Sequence, residues 1–223
     1  LTVKEVDFMI PYFSLQPGSK VLDMMCGYGR HALGLARKGI SVTAVDNLAD
    51  YINEIQQVTT AENLPVKAVQ SGVLDFSTEE QFDLVICMGN SLNFFNADDT
   101  LSILKKAASC LKQGGSLLIN SWSLAEIVFK NSDTKSWSEI NGIKFLSDTR
   151  LLFHPTRLEA ESTMIHPDGT TETKTGIDYI FSINEMENML RSAGFALKEV
   201  YSIPGRKKFT VGEPRAYLVA QKQ

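Results

Sequence analysis

Asp23, Gly27, Gly29 and Asp46 are the residues of this 223-residue chain whose types and spacing bear most directly on chemistry. The segment Val21-Leu22-Asp23-Met24-Met25-Cys26-Gly27-Tyr28-Gly29-Arg30-His31-Ala32 reads as a strand, a glycine loop and a helix in succession. Glycines at such a turn let the backbone double back and approach a ligand, and Ala32 allows the helix to pack closely on its strand. Gly27-x-Gly29-x-x-Ala32 also satisfies the fingerprint of dinucleotide sites, and Asp46 lies close to the ~20 residues downstream expected of an acid that accepts hydrogen bonds from ribose hydroxyls. Asp23 separates the readings. At the mouth of the loop its carboxylate would repel a doubly negative pyrophosphate. A ligand carrying an ammonium and a sulfonium, with no phosphate, would instead gain charge-assisted contacts from it and from the backbone carbonyls of Cys26 and Met88.

Positioning these residues requires a particular set of elements. Between residues 20 and 122, short β-rich runs alternate with helical patterns, the signature of a parallel sheet with crossover helices. The expected strands are Lys20 to Met25, Ile40 to Asp46, Val66 to Gln70, Phe82 to Met88 and Ser116 to Trp122. Leu101, Leu104, Ala108 and Leu111 form one helical stripe that stops at Gly114-Gly115, with Lys105, Lys106 and Lys112 in the later turns, where cations suit the dipole. Residues 123–182 read as an antiparallel insertion: Arg157 to Glu161 alternates, and His166-Pro167-Asp168-Gly169 is a turn. Ser182 and Glu185 predict a capping box, Ile183, Met186, Met189, Leu190 and Ala193 a buried stripe, and Gly194 a helix end. Phe195 to Ile203 and Arg215 to Ala220 are two final strands. The connection through Pro204-Gly205-Arg206-Lys207-Lys208 is too short for a crossover helix, so they pair antiparallel.

Composition narrows the class. With 43% hydrophobic and 22% charged residues the chain fits one ordinary globular domain, residues 1–223, large enough to hold a core without disulfides. Cys26, Cys87 and Cys110 are odd in number, widely spaced and without a C-x-x-C pair, which points to a reducing, cytoplasmic setting and to no metal. A net charge of -4 argues against a surface built for nucleic acid or anionic lipid. No apolar run approaches the ~20 residues of a membrane helix, and the first residues lack a basic segment followed by an apolar core, so no membrane association is expected.

Taken together, these residues resemble the class I S-adenosylmethionine-dependent methyltransferases, over nearly the whole length from Lys20 onward and most closely their bacterial small-molecule enzymes. Asp23 through Gly29 is similar to that family's first motif, Thr43-Ala44-Val45-Asp46 to its ribose-binding strand end, Phe82-Asp83-Leu84-Val85-Ile86 to its fourth strand, and Leu111-Lys112-Gln113-Gly114-Gly115 to the turn before its fifth. Met25 stands where the family usually carries its first loop glycine, and Gln113 where proline is common. The resemblance implies an α/β, doubly wound, Rossmann-like sheet of seven strands with the last antiparallel, S-adenosylmethionine as cofactor, and the small antiparallel insertion at 123–182 as a lid or a homodimer surface.

It also implies roles by position. Asp23, Met25, Cys26, Gly27 and Gly29 would surround the methionyl group, with Arg30 near its carboxylate, Asp46 and Asn47 on the ribose, Gly72 and Val73 beside the adenine, and Met88 and Gly89 closing the site. Asp75 reads either as a neighbour of the adenine or as a loop cap. For substrate contact the candidates are His31, Asn90 and Asn93, although His31 is as readily a helix-surface imidazole and the asparagines ordinary loop residues. Phe94 and Phe95 suggest core or lid packing. Phe8, Tyr12 and Phe13 of an N-terminal helix are expected to help cover a small-molecule substrate. Gly89-Asn90-Ser91-Leu92-Asn93 lacks the Asn/Asp-Pro-Pro-aromatic clamp of DNA amino-methylating enzymes, which makes a nucleic-acid acceptor unexpected. His31, in the first turn after the glycine loop, stands close enough to act as a base, although a helix-surface imidazole is the commoner outcome; the catalytic residue and the acceptor atom, nitrogen or oxygen, are left open. Two readings from other classes stand beside this one: a NAD-dependent enzyme, and a binding module that holds the cofactor without turnover.

Overall fold

The computed structural model describes residues 1–131 and 134–223. Its main sheet has the order β11-β10-β12-β5-β4-β1-β2-β3. The central strands are β1 (Lys20–Met24), β2 (Ser41–Asp46), β3 (Val66–Gln70), β4 (Phe82–Cys87) and β5 (Leu111–Ser121), all parallel where they pair. The sheet is completed by β10 (Phe195–Ile203), β11 (Lys207–Lys208) and β12 (Ala216–Lys222), and β12 runs antiparallel to both β5 and β10, as the short final connection requires. Strands covered on both faces must be apolar nearly throughout, and four of the five residues of β1 and five of the six of β2 are buried. On one face lie α1 (Thr2–Tyr12), α2 (Arg30–Ala36) and α3 (Ala49–Glu62), whose Val6, Met9, Leu33, Leu35, Ile52 and Ile55 share a core cluster with Val21, Val42 and Ile86. On the other lie α4 (Ala97–Cys110), α5 (Ala125–Asn131) and α6 (Ile183–Ser192), packed through Ile103, Leu104, Ile127, Met186 and Leu190.

Three local expectations change. The sheet has eight strands, because Lys207 and Lys208, expected to be connection only, pair with Ile203 and Tyr201 at its edge. The helix expected to reach Gly114-Gly115 ends at Cys110: Leu111 already pairs with Phe82, and the ladder resumes at Leu84 with Ser116, so the double glycine sits inside a bulge of β5. Lys112 therefore lies beyond the helix and binds Asp83 at 2.6 Å, and the last turn of α4 carries no basic residue. The insertion also contains α5, whose seven residues are too few for a clear helical period. The capping box of α6 forms as read, Ser182 Oγ accepting from Glu185 N at 3.1 Å and Glu185 Oε2 from Ser182 N at 2.7 Å.

Beyond α5 the insertion builds its own antiparallel sheet, β6 (Lys135–Ile140), β7 (Ile143–Phe153), β8 (Thr156–Ile165) and β9 (Thr171–Tyr179), in that order. A short 3-10 turn, Ser91–Phe94, follows β4 and joins this sheet to the carboxyl edge of the main one.

Candidate active site

The carboxyl ends of β1, β2 and β4 meet the glycine loop. Gly29 has φ 68°, and a Cβ there would lie 2.6 Å from Ile55 Cγ1, so both the conformation and the packing demand glycine. Met25 also adopts a positive φ, 56°, a conformation that favours glycine, and a side chain is tolerated there at a cost of about 1 kcal/mol. Asp46 pins the loop. Its Oδ2 accepts from Gly27 N at 2.9 Å and its Oδ1 from Leu48 N at 3.1 Å, leaving one lone pair on each oxygen.

A cavity of about 610 Å³ opens beside this corner, the size of a small-ligand pocket. Met25, Gly27, Asp46, Asn47, Gly72 and Val73, six of the residues expected to hold a nucleoside cofactor, line it. Asp75 lines it as well, with its carboxylate against Gly72, where an added Cβ would meet Oδ2 at 2.9 Å. Ser91 and Phe94 of the 3-10 turn, with Phe95 just after it, form a further wall, so the two phenylalanines border the pocket. Leu48, Tyr51, Ser71 and Leu74, which no motif marks, complete the lining; Tyr51 is held 4.1 Å from the Tyr28 ring, centroid to centroid. The apolar i, i+3 pair Leu48 and Tyr51 was the available signal, though it equally describes an ordinary helix start.

Asp23, Cys26, Gly29, Arg30, Met88 and Gly89 are not among the residues that line that cavity. Asp23 is 2% exposed, and its Oδ2 has no hydrogen-bond partner. Burial pushes its carboxyl up to about 6, assisted by the charge of Asp46 and opposed by His31 and Arg30. An orphaned buried carboxylate of this kind is costly unless a cation completes it. The guanidinium of Arg30 lies against Gly89, where an added Cβ would approach Nη2 to 3.6 Å. A free amino acid moiety, with ammonium toward Asp23 and carboxylate toward Arg30, fits this charge pattern, and the glycine loop and the nucleoside-sized cavity fit the rest of S-adenosylmethionine.

The substrate candidates fare differently. His31 is neither a surface imidazole nor a pocket residue: it is 2% exposed and its Nε2 stands 2.9 Å from Glu5 Oε2, while Tyr217 Oη donates to Glu5 Oε1 at 2.7 Å. This trio ties α1 and α2 to β12. Burial pushes the Glu5 carboxyl up, but the hydrogen bonds from His31 and Tyr217 and the charges of His31 and Arg30 outweigh it and hold it below its ordinary value. Burial and the neighbouring Glu5 push the Tyr217 phenol up to about 12.

Asn90 and Asn93 are also buried, and their amides are taken up within the protein. Asn90 Oδ1 accepts from the backbone N–H groups of Trp122 and Ser123 at 2.9 and 3.0 Å, and its Nδ2 donates to Ser123 Oγ at 2.8 Å. Asn93 Nδ2 donates to the carbonyls of Ser123 and Tyr179 at 3.2 and 2.8 Å. They form a latch between the carboxyl edge and the insertion. Phe8, Tyr12 and Phe13 lie against one another and Tyr201; Phe8 borders a separate cavity of about 530 Å³, so the aromatic cover stands apart from the nucleoside-sized pocket.

Comparison with known proteins agrees with this geometry. Residues 21–115 match the family model described as a methyltransferase domain. The Bacillus subtilis protein YqeM, which carries a provisional methyltransferase description, is 29% identical over 216 residues, 91% of this chain and 82% of its own. The CcbJ methyltransferase of Streptomyces caelestis superposes with a TM-score of 0.87 at 17% identity, over 99% of this chain and 89% of that one. CalS10, an amino pentose methyltransferase of Micromonospora echinaspora solved with S-adenosylmethionine bound, gives 0.74 at 17% identity, over 100% and 92%. At those identities the structures share the fold.

Proposed function

We propose that this chain is a class I S-adenosylmethionine-dependent methyltransferase, a single unit over residues 1–223, and that it carries the methyl group to a small-molecule acceptor held between the carboxyl edge of the main sheet and the inserted sheet. The observation that carries this reading is the unpartnered, buried Asp23 carboxylate beside a glycine loop that Asp46 holds in place.

The cofactor supplies an activated methyl on a positively charged sulfur, so the protein's task is to bind, align and keep water out. Asp23 receives the ammonium, and Arg30 the carboxylate, of the methionyl part. The spare lone pairs of Asp46, with Asn47 beside it, take the ribose hydroxyls, while Gly72, Val73 and Asp75 border the adenine. Cys26, Met88 and Gly89 supply backbone close to the sulfur. The Asn90–Asn93 latch fixes the 3-10 turn that walls the pocket, and so acts on alignment through position.

The insertion serves as lid or as homodimer surface within a single methyltransferase unit. The three free thiols suit a reducing, cytoplasmic setting. Calorimetric titration with S-adenosylhomocysteine and with NAD tests the reading: micromolar binding of the first and none of the second is expected, and the reverse overturns it. Production of S-adenosylhomocysteine with a panel of amines, hydroxy acids and sugars then separates an enzyme from a silent binding module.

A further inference from the structure

A second cavity of about 600 Å³ lies between β5 and the inserted sheet, and Asp178 is the sole ionisable side chain among its lining residues. Trp122, Ile127, Val128 and Leu158 make most of its wall apolar, and Gly176 leaves part of it low. Asp178 is held on one oxygen only. Ser123 Oγ donates to its Oδ2 at 3.0 Å and Asn90 Nδ2 to the same atom at 3.3 Å, and among the described residues no hydrogen bond reaches Oδ1. The carboxylate is therefore oriented, with a free acceptor atom, and among the described residues no cation pairs with it; the Lys130 ammonium stands at another wall, against Gly212, where an added Cβ would meet Nζ at 3.3 Å. Its place relative to the cofactor pocket follows from the chain: Ser91 lines that pocket, while its neighbour Asn90 binds Asp178 in this one.

We propose that Asp178 anchors the acceptor and that the acceptor is a primary or secondary amine, bound as its ammonium with an N–H directed at Oδ1 and an apolar body against Trp122. This rests on the methyltransferase reading and adds the substrate class to it. An alcohol or a carboxylic acid fits less well: the first offers a weak, uncharged donor, and the second places two carboxylates together. Trp122 adds attraction for the cation through its ring face. The same carboxylate then accepts one proton from the ammonium, giving the neutral amine and a neutral Asp178, and frees the nitrogen lone pair for attack. Burial, which pushes Asp178 up from the ordinary carboxylate range, brings the two groups closer in proton affinity.

Binding of cyclohexylamine and of its isostere cyclohexanol, measured by ligand-observed NMR on the whole protein with S-adenosylhomocysteine present, tests the assignment. The amine is expected to bind at least tenfold more tightly than the alcohol. Asp178→Asn keeps an acceptor oxygen for Ser123 and Asn90 but removes the charge, and should abolish that preference while leaving the melting temperature and S-adenosylhomocysteine affinity unchanged. Gly176→Leu is the second variant. A Cβ at Gly176 meets nothing within 4 Å, so the larger side chain enters open space, and it should block the amine without touching the Asp178 hydrogen bonds. Equal binding of amine and alcohol, no amine binding at all, or amine binding unaltered in both variants overturns the proposal. Failure of S-adenosylhomocysteine to bind the unaltered protein overturns the methyltransferase reading instead.

Discussion

The glycine-loop corner of the main sheet and the inserted sheet both contribute polar side chains to the site, but they hold them by different means. At the corner, β1 and β2 are buried almost end to end between two layers of helices. Charged groups there are either fully partnered, as Glu5 is by His31 and Tyr217, or conspicuously unpartnered, as Asp23 is. In the insertion, by contrast, all six residues of β6 and the first seven of β9 are exposed. Its polar residues are organised chiefly where Asp178 and Tyr179 reach the Asn90–Ser123–Asn93 latch. In a sheet buried on both faces a lone charge is costly and calls for a partner or a proton. A half-wet sheet places no such restriction on its charges, and Asp178 is set apart there only by the cavity it lines.

The largest effect expected from this contrast comes from Glu5→Ala. It leaves the Tyr217 hydroxyl and His31 without their buried acceptor and should lower unfolding stability by about 3 kcal/mol, read from the denaturant midpoint. A loss under about 1 kcal/mol would remove the buried trio as a support of the corner. Asp46→Ala comes next, with a 10- to 100-fold fall in S-adenosylhomocysteine affinity by calorimetry, since charge-assisted hydrogen bonds worth about 1.5–3 kcal/mol disappear. Unchanged affinity would refute the ribose assignment.

Asp23→Asn sharpens the comparison through pH. Because folding raises this carboxyl from 3.8 to about 6, the folded protein holds more protons than the unfolded chain between those values. Ligand-free stability contributed by the group is thus full below about pH 4 and lost as pH rises through about 6. The asparagine variant should show a flatter melting profile across that window, with roughly tenfold weaker cofactor binding. Trp137→Ser marks the small end of the scale. Its side chain is 72% exposed on β6, and the expected change in stability is within about 0.5 kcal/mol. A cooperative loss well beyond that would show the inserted sheet to depend on a surface that this fold leaves bare.

The sequence by itself determined what neighbours along the chain decide. Asp23, the Gly27–Gly29 turn and Asp46 belong to a strand end, a loop and the next strand end, so residue type and spacing were enough to mark the glycine-loop corner at the carboxyl ends of β1 and β2. The capping box of Ser182 and Glu185 and the antiparallel final pair were legible for the same reason: turn geometry and connection length are local. Tertiary structure alone decided that His31 turns inward to Glu5, that Asn90 and Asn93 become a latch, and that Lys207 and Lys208 add an edge strand. It alone carried Asp178 to Asn90, which stands 88 residues earlier in the chain. Such pairings follow from how a whole sheet closes on another, and a carboxylate in an alternating strand has the same appearance in sequence whether it meets water or the wall of a cavity.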